Sequence, residues 1–260
     1  MKNHLPFIPE RESKPRNRGL TMMMDKGLSV HEAENFVESS GEYTDLVKFG
    51  FGTALISNKL KEKIKIYKEG KIRPYFGGTL FEMFIVRDRF DDFRRMIEKY
   101  KLETAEISDG SIHLPHDEKL KYIDILSKQV TVLSEVGSKQ KGVEISPDDW
   151  VKMMKTELET GAWKVIAEAR ESGTIGIYNS DGTANMEIIN DIIEHVKTDN
   201  VLWEAPNKNQ QVWFIKLSGT NVNLGNIATQ EVIPLEALRR GMRGDTFFDF
   251  LPPEFDKFKQ

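Results

Sequence analysis

Acidic side chains recur at regular intervals along this chain of 260 residues, each at the end of a short apolar segment. Glu106, Glu135, Glu168 and Glu204 follow one another at intervals of 29, 33 and 36 residues, each the length of one strand–helix unit. An ionisable group at the end of an apolar strand costs free energy unless it is exposed, paired or bound to metal. The spacing therefore favours a shared functional site, although strands also end in polar residues simply because loops begin there.

The segments that must position these residues alternate between strand-like and helix-like patterns. Eight strand candidates cover residues 21–24, 46–49, 73–76, 104–107, 131–134, 164–167, 201–203 and 212–217. Eight strand–helix units suggest a (β/α)8 barrel or a doubly wound open sheet. The length favours the barrel, which typically has about 250 residues. The sequence DKGLSV after the first strand also lacks the G-x-G-x-x-G pattern of a dinucleotide-binding sheet.

The domain organisation follows from the absence of a Gly-, Ser- or Pro-rich linker between residues 20 and 250. We expect an N-terminal arm over residues 1–19 and a single α/β domain, a (β/α)8 TIM barrel, over residues 20–260. A helical tail would end the barrel domain. Its aromatic residues could pack under the barrel or between subunits, and we expect a homo-oligomer.

Composition excludes several classes of function. The net charge is −4, and no long block of one sign occurs, so neither nucleic acid nor a membrane surface is an expected partner. The chain has no cysteine, which excludes disulfides, Cys-ligated zinc, iron–sulfur clusters and thiol catalysis. We find no signal-peptide pattern and no run of about 18 apolar residues, so we expect a cytoplasmic protein.

A barrel would bring the strand-end residues to one mouth, where such folds place their chemistry. In chain order they are Asp25, Lys48, the pair Gly77-Gly78, Glu106, Glu135, Glu168, Glu204 and Lys216. Carboxylates that lie close together raise each other's pKa, and Mg²⁺ held by their oxygens would relieve the repulsion. A salt-bridged rim remains the structural alternative for some of them.

Basic and small residues near the same strand ends suit an anionic substrate. Lys48, Lys139 and Arg170 lie at or just after strand ends. Residues 218–226, SGTNVNLGN, are expected to follow the last strand, where barrels often bind phosphate, although Gly and Asn are also common in turns. Arg16 and Arg18 could close over an anion or lie in a solvated arm.

Several longer motifs resemble the phosphosulfolactate synthase family over about residues 14–250. They are VKFGFGT, GGTLFE, EISDGSI, VLSEVGSK, GAWKVIAEARESG and QQVWFIKLSGTNVNLGNI. The resemblance implies a (β/α)8 barrel enzyme of the carbon–sulfur lyase or synthase type, with Mg²⁺ as cofactor. Such an enzyme adds sulfite to C3 of phosphoenolpyruvate and forms (2R)-O-phospho-3-sulfolactate, an early step of coenzyme M biosynthesis.

The resemblance also implies an active site made of Asp25, Lys48, Glu106, Glu135, Lys139 and Glu168. On that basis we expect Glu106, Glu135 and Glu168 to hold the metal, directly or through water. Lys139 would donate the proton, and Lys48 and Asp25 would complete the catalytic set. Lys48, Arg170 and the backbone of Gly219 and Asn221 would bind the substrate anions.

Two alternative functions remain open at this point. One keeps the Mg²⁺-assisted enol chemistry but uses another enol substrate or another nucleophile. The other is a stress-associated relative whose barrel binds or protects rather than catalyses. Loss of the strand-end charges would favour the second alternative, and the charges are present here.

Replacement of Lys139 by alanine tests the proposed proton donor. We expect the K139A variant to form no product while it binds metal nearly as well as the wild-type protein. Steady-state turnover and metal titration would measure the two properties separately. Turnover close to that of the wild-type protein would exclude Lys139 from this role.

Overall fold

The computed structural model describes residues 5–138 and 145–259. The eight strands are β1 (Thr21–Asp25), β2 (Leu46–Phe49), β3 (Arg73–Phe76), β4 (Thr104–Ile107), β5 (Thr131–Val136), β6 (Lys164–Ala167), β7 (Val201–Glu204) and β8 (Leu224–Ile227). The α-helices are α1 (Val30–Ser40), α2 (Leu60–Glu69), α3 (Gly78–Ile85), α4 (Phe90–Lys99), α5 (His116–Ser127), α6 (Pro147–Thr160), α7 (Met186–His195), α8 (Lys208–Ser218) and α9 (Val232–Arg239).

The strands form one parallel sheet in the order β3-β2-β1-β8-β7-β6-β5-β4. Strands β3 and β4, at the two ends of this order, lie next to each other and bring the sheet into a nearly closed barrel. The protein is thus a single-domain (β/α)8 TIM barrel, as predicted, and the open-sheet alternative is excluded. No helix in the described ranges has both the length and the apolar character that a membrane span requires.

Apolar side chains fill the barrel interior. These buried residues are Leu20, Met22, Met24, Leu46, Tyr75, Leu133, Ile166 and Leu202. Side chains alternate between the two faces of a strand, so the intervening residues face the surrounding helices and form a second, larger core there. This alternation also decides which strand-end residues face the inside of the mouth.

Side-chain caps mark the starts of two helices. Ser146 caps α6 by accepting a hydrogen bond from Asp149 N at 3.2 Å, and Pro147 occupies the first position of the helix. Asn185 caps α7 in the same way, because its side chain accepts from Ile188 N. The side chain at each N-cap thus satisfies a backbone N–H group of the first helical turn.

The predicted eighth strand over residues 212–217 is wrong. These residues belong to α8, which begins with a capping box formed by Asn207 and Gln210. The β-branched and aromatic residues of this segment resemble a strand, but Phe214 and Ile215 pack as one face of a helix together with Gln210 and Gln211. The true last strand is β8, which begins at Leu224, seven positions after the end of the predicted strand at Leu217.

This shift moves several candidate residues away from the mouth. Gly219 ends α8, and Asn221 accepts a hydrogen bond from Arg11, so both lie before β8, at the opposite end of the barrel. Neither residue therefore lies in a phosphate-binding loop after the last strand, contrary to the prediction. Lys216 is half-exposed on α8, where it pairs with Asp249.

The N-terminal arm also packs at the end of the barrel opposite the mouth. Arg16 is 5% exposed and donates to Asp45, the residue before β2, at 2.9 Å. Arg18 forms an exposed ion pair with Glu12. Neither arginine closes over the mouth, because the strands begin at this end.

Asp25 is buried between the barrel and α2 instead of facing the mouth. Met24 points into the barrel, so Asp25, one residue later, points outward. Its carboxylate lies 2.7 Å from Lys63 Nζ and accepts from Tyr67 Oη at 2.8 Å. It also accepts from the backbone N–H groups of Gly27 and Leu28. Asp25 thus fastens α2 and the turn after β1 to the barrel.

Replacement of Lys63 by methionine tests this anchoring. We expect K63M to lower the free energy of unfolding by about 3–5 kcal/mol, because it leaves a buried carboxylate without its cation. Urea denaturation followed by tryptophan fluorescence would measure the change. The matched control is K65A, which removes an exposed ion pair with Glu69 on the same helix and should cost less than about 1 kcal/mol. Equal effects of the two variants would contradict the anchoring role.

Candidate active site

Lys48 is the centre of a buried charge cluster at the C-terminal mouth of the barrel. It is 7% exposed at the end of β2, and its Nζ lies 2.8 Å from Glu106 Oε1 and 3.1 Å from Glu135 Oε2. Glu204 Oε1 is 3.6 Å away. One ammonium group thus links carboxylates from β4, β5 and β7.

The electrostatic environment keeps Lys48 positively charged. Burial by itself lowers the pKa of Lys48, but the negative charges of Glu106, Glu135 and Glu204 outweigh burial and raise that pKa well above its usual value. Lys48 therefore serves as a fixed cation, and it is a poor proton donor near neutral pH.

Glu106 also binds the beginning of α3. Its Oε1 accepts a hydrogen bond from Gly78 N at 2.5 Å, where the backbone N–H groups of a helix start favour negative charge. A Cβ atom at Gly78 would lie 2.3 Å from Ser108 Cβ and 2.7 Å from Glu106 Oε1. The second glycine of the Gly77-Gly78 pair is therefore required by close packing of α3 against the site.

Glu135 is held from several directions. Ser108 Oγ lies 2.7 Å from Glu135 Oε1, while Lys48 contacts the other carboxylate oxygen. Below the carboxylate, Lys119 Nζ donates to the backbone oxygen of Glu135 at 2.6 Å. Both the side chain and the backbone of this strand end are consequently fixed in position.

Glu135, Glu168 and Glu204 form the candidate metal centre. All three are buried, and each offers a carboxylate oxygen within 4.8 Å of the others. Glu204 Oε2 accepts from Ala169 N at 3.0 Å and contacts Asn226 Nδ2 at 3.4 Å. Three carboxylate oxygens at this separation fit a hard cation such as Mg²⁺. Two of the three predicted ligands belong to this group, whereas Glu106 lies beside Lys48 and Gly78.

The structure tests the role of neither Arg170 nor Lys139. Arg170 is exposed at the start of the loop after β6, immediately after the strand-end residues Glu168 and Ala169. Lys139 lies outside the described residues. The roles predicted for Arg170 and Lys139 stay predictions.

The structure adds residues that sequence reasoning missed. Asn226 lies in the true β8, one residue before its end, and contacts Glu204, but the misplaced eighth strand concealed its position. Ser108 follows β4 within the EISDGSI motif, and Glu82 ends the GGTLFE motif. Both motifs were visible in the sequence, but at the end of the predicted strand 104–107 Glu106 was chosen instead of the uncharged Ser108, and Glu82 stands at no predicted strand end.

Comparisons with known proteins agree with this architecture. A family model described as (2R)-phospho-3-sulfolactate synthase (ComA) matches residues 9–245. Phosphosulfolactate synthase of Bacillus subtilis is 41% identical over 244 residues, covering 93% of this chain and 97% of the relative. Phosphosulfolactate synthase of Methanocaldococcus jannaschii is 43% identical over 236 residues, covering 88% of this chain and 94% of the relative.

Solved structures with little sequence similarity share the fold. 3-Hexulose-6-phosphate synthase from Salmonella typhimurium has a TM-score of 0.56 at 11% identity, covering 85% of this chain and 98% of that chain. This likeness supports the barrel architecture alone. The family match and the two close relatives span most of the chain, and on that evidence the protein belongs to the (2R)-phospho-3-sulfolactate synthase family.

Proposed function

We propose that this protein is a Mg²⁺-dependent phosphosulfolactate synthase that adds sulfite to C3 of phosphoenolpyruvate and forms (2R)-O-phospho-3-sulfolactate. Family membership supports the reaction class. The observation that carries the proposal is the buried group of Glu135, Glu168 and Glu204 beside Lys48 at the barrel mouth. This arrangement combines oxygen donors for a cation with a fixed positive charge.

The reaction joins two anions, which explains the need for positive charge. Two unit charges 4 Å apart repel by about 4 kcal/mol at an effective dielectric constant of 20. Lys48 supplies a permanent positive charge within the mouth, and Arg170, exposed in the loop after β6, would attract the anions as they enter. Sulfite sulfur forms the bond to C3, and the electron pair of the C2–C3 double bond moves toward the substrate carboxylate.

Mg²⁺ bound at this site would supply charge stabilisation for the substrate carboxylate as negative charge develops there. Glu135, Glu168 and Glu204 would hold the ion. Glu106 stays a predicted metal ligand, either directly or through water. Lys48 would keep the glutamates at a fixed separation, since it contacts Glu135 and Glu204 directly.

C2 must then accept a proton on one face of the substrate. Lys139 is the proposed donor, because a lysine near other cations can have a lowered pKa and release a proton near neutral pH. Lys48 is unsuited to that step, since the surrounding glutamates raise its pKa. Asp25, buried behind the barrel wall with Lys63, supports the fold of the mouth without facing the substrate.

Phosphorus NMR on the purified protein tests the proposed function. With phosphoenolpyruvate, sulfite and Mg²⁺ present together, we expect a new phosphate ester signal that disappears when either sulfite or metal is omitted. A product that forms without sulfite would favour another nucleophile. No product under any of these conditions would favour the stress-associated, non-catalytic alternative.

Replacement of single glutamates tests the metal centre. We expect E168Q and E204Q each to lower Mg²⁺ affinity by at least about tenfold, because loss of even an indirect metal partner typically costs 10–100-fold. Competition of Mg²⁺ with Mn²⁺, followed by electron paramagnetic resonance of free Mn²⁺, would measure the affinity.

A matched control is E159Q, which neutralises an exposed glutamate on α6 far from the strand ends. Its Mg²⁺ affinity should equal that of the wild-type protein. If E168Q and E204Q bind Mg²⁺ as E159Q does, the metal lies elsewhere and the proposed ligand set is wrong.

A further inference from the structure

Glu82 is a buried carboxylate that the proposed chemistry does not use. It lies on α3, outside the barrel strands, and is 2% exposed. Among residues 5–138 and 145–259, it makes no ion pair with a lysine, arginine or histidine, and its Oε2 is buried without a hydrogen-bond partner. Burial of a carboxylate without a cation is unfavourable. Packing alone therefore does not explain why a glutamate occupies position 82.

The other oxygen of Glu82 holds both ends of the turn that follows β4. Oε1 lies 2.7 Å from Ser108 Oγ and accepts from Ser111 N at 3.1 Å. The same turn is held from its far side by Lys119, whose Nζ contacts Asp109 Oδ1 at 2.9 Å. The turn that begins at Ser108 is thereby fixed by contacts from two helices, α3 and α5.

Ser108 transmits this constraint to the candidate metal centre. Its hydroxyl oxygen lies 2.7 Å from Glu135 Oε1 as well as from Glu82 Oε1, and its single proton can be donated to either carboxylate but to only one at a time. Glu135 Oε2 is contacted by Lys48. The orientation of the Glu135 carboxylate thus depends on Lys48 on one side and on the Glu82–Ser108 pair on the other.

We propose that Glu82 is a positioning residue of the active site, which acts through Ser108 to orient the carboxylate of Glu135 for binding the divalent cation. The proposal rests on the proposed function in one respect, since it takes Glu135 as part of the metal centre. Glu82 itself touches neither substrate nor metal. Its effect must therefore pass through the Ser108 hydroxyl, which makes the proposal testable by a double-mutant cycle.

The experiment compares E82M, S108A and the double variant E82M/S108A with the wild-type protein. Methionine keeps the approximate volume of Glu82 and avoids a cavity in the α3 interface. We expect each single variant to weaken Mn²⁺ binding by about 10–100-fold, the range seen when an indirect metal partner is lost. The double variant should be no weaker than S108A, because the proposed effect of Glu82 on the metal passes through the Ser108 hydroxyl.

A destabilised fold is distinguished from misplaced Glu135 by two measurements. E236M removes another buried glutamate, which pairs with Arg11 and Arg240 at the opposite end of the barrel, and should change stability without changing Mn²⁺ affinity. The conservative variant E82Q keeps an oxygen that can accept from Ser108 and Ser111, and should retain most of the affinity. If E82M does not fold, S108A and E82Q still test the link, since S108A must weaken binding and E82Q must not.

Three outcomes would overturn the proposal. Wild-type affinity in S108A or E82M would remove the role of the Glu82–Ser108 pair while leaving the proposed function intact. Multiplying losses in the double variant would show that Glu82 acts by another route. A wild-type protein that binds no Mn²⁺ and forms no phosphate ester would refute the proposed function, and the positioning role with it.

Discussion

The buried ammonium group of Lys48 is the interaction on which the barrel mouth depends. Four glutamates end neighbouring strands inside a barrel whose lower interior is apolar, and without a cation their burial and mutual repulsion would be very unfavourable. Lys48 contacts three of them from a fourth strand. Because β2, β4, β5 and β7 contribute to one cluster, closure of the barrel and assembly of the site depend on the same contacts. A divalent cation would add a second positively charged centre to a framework that Lys48 already holds in place.

A second set of buried charges supports the mouth from outside the barrel wall. Asp25 with Lys63, and Asp109 and Glu157 with Lys119, lie between strands and helices. Each of these two groups, one around Lys63 and one around Lys119, fastens helices to the strand ends that bear the site. Breaking buried pairs of this kind is costly, so they fix the geometry of the loops more firmly than exposed ion pairs would. The pleat of the strands keeps these supporting charges apart from the inward-facing cluster.

Glycines allow the site residues to lie as close together as they do. Gly78 places its backbone N–H on Glu106, and Gly137 packs against Glu168, where a Cβ atom would lie 2.5 Å from Glu168 Cβ. These positions belong to the motifs GGTLFE and VLSEVGSK, so their glycines serve packing around the carboxylates. Barrel enzymes of dissimilar sequence share the architecture of this protein, whereas these close contacts depend on its particular sequence.

The sequence alone determined the fold class, seven of the eight strands, and the convergence of Lys48 with Glu106, Glu135, Glu168 and Glu204. Those features depend on local periodicity and regular spacing. The sequence pattern wrongly predicts a strand over residues 212–217, because a short run of β-branched and aromatic residues fits a strand and a buried helix equally well. Only the tertiary structure decided that Asp25 faces outward, since one step along a strand reverses the side chain. The link from Glu82 through Ser108 to Glu135 likewise joins a helix to two strands, and no spacing along the chain encodes such a contact.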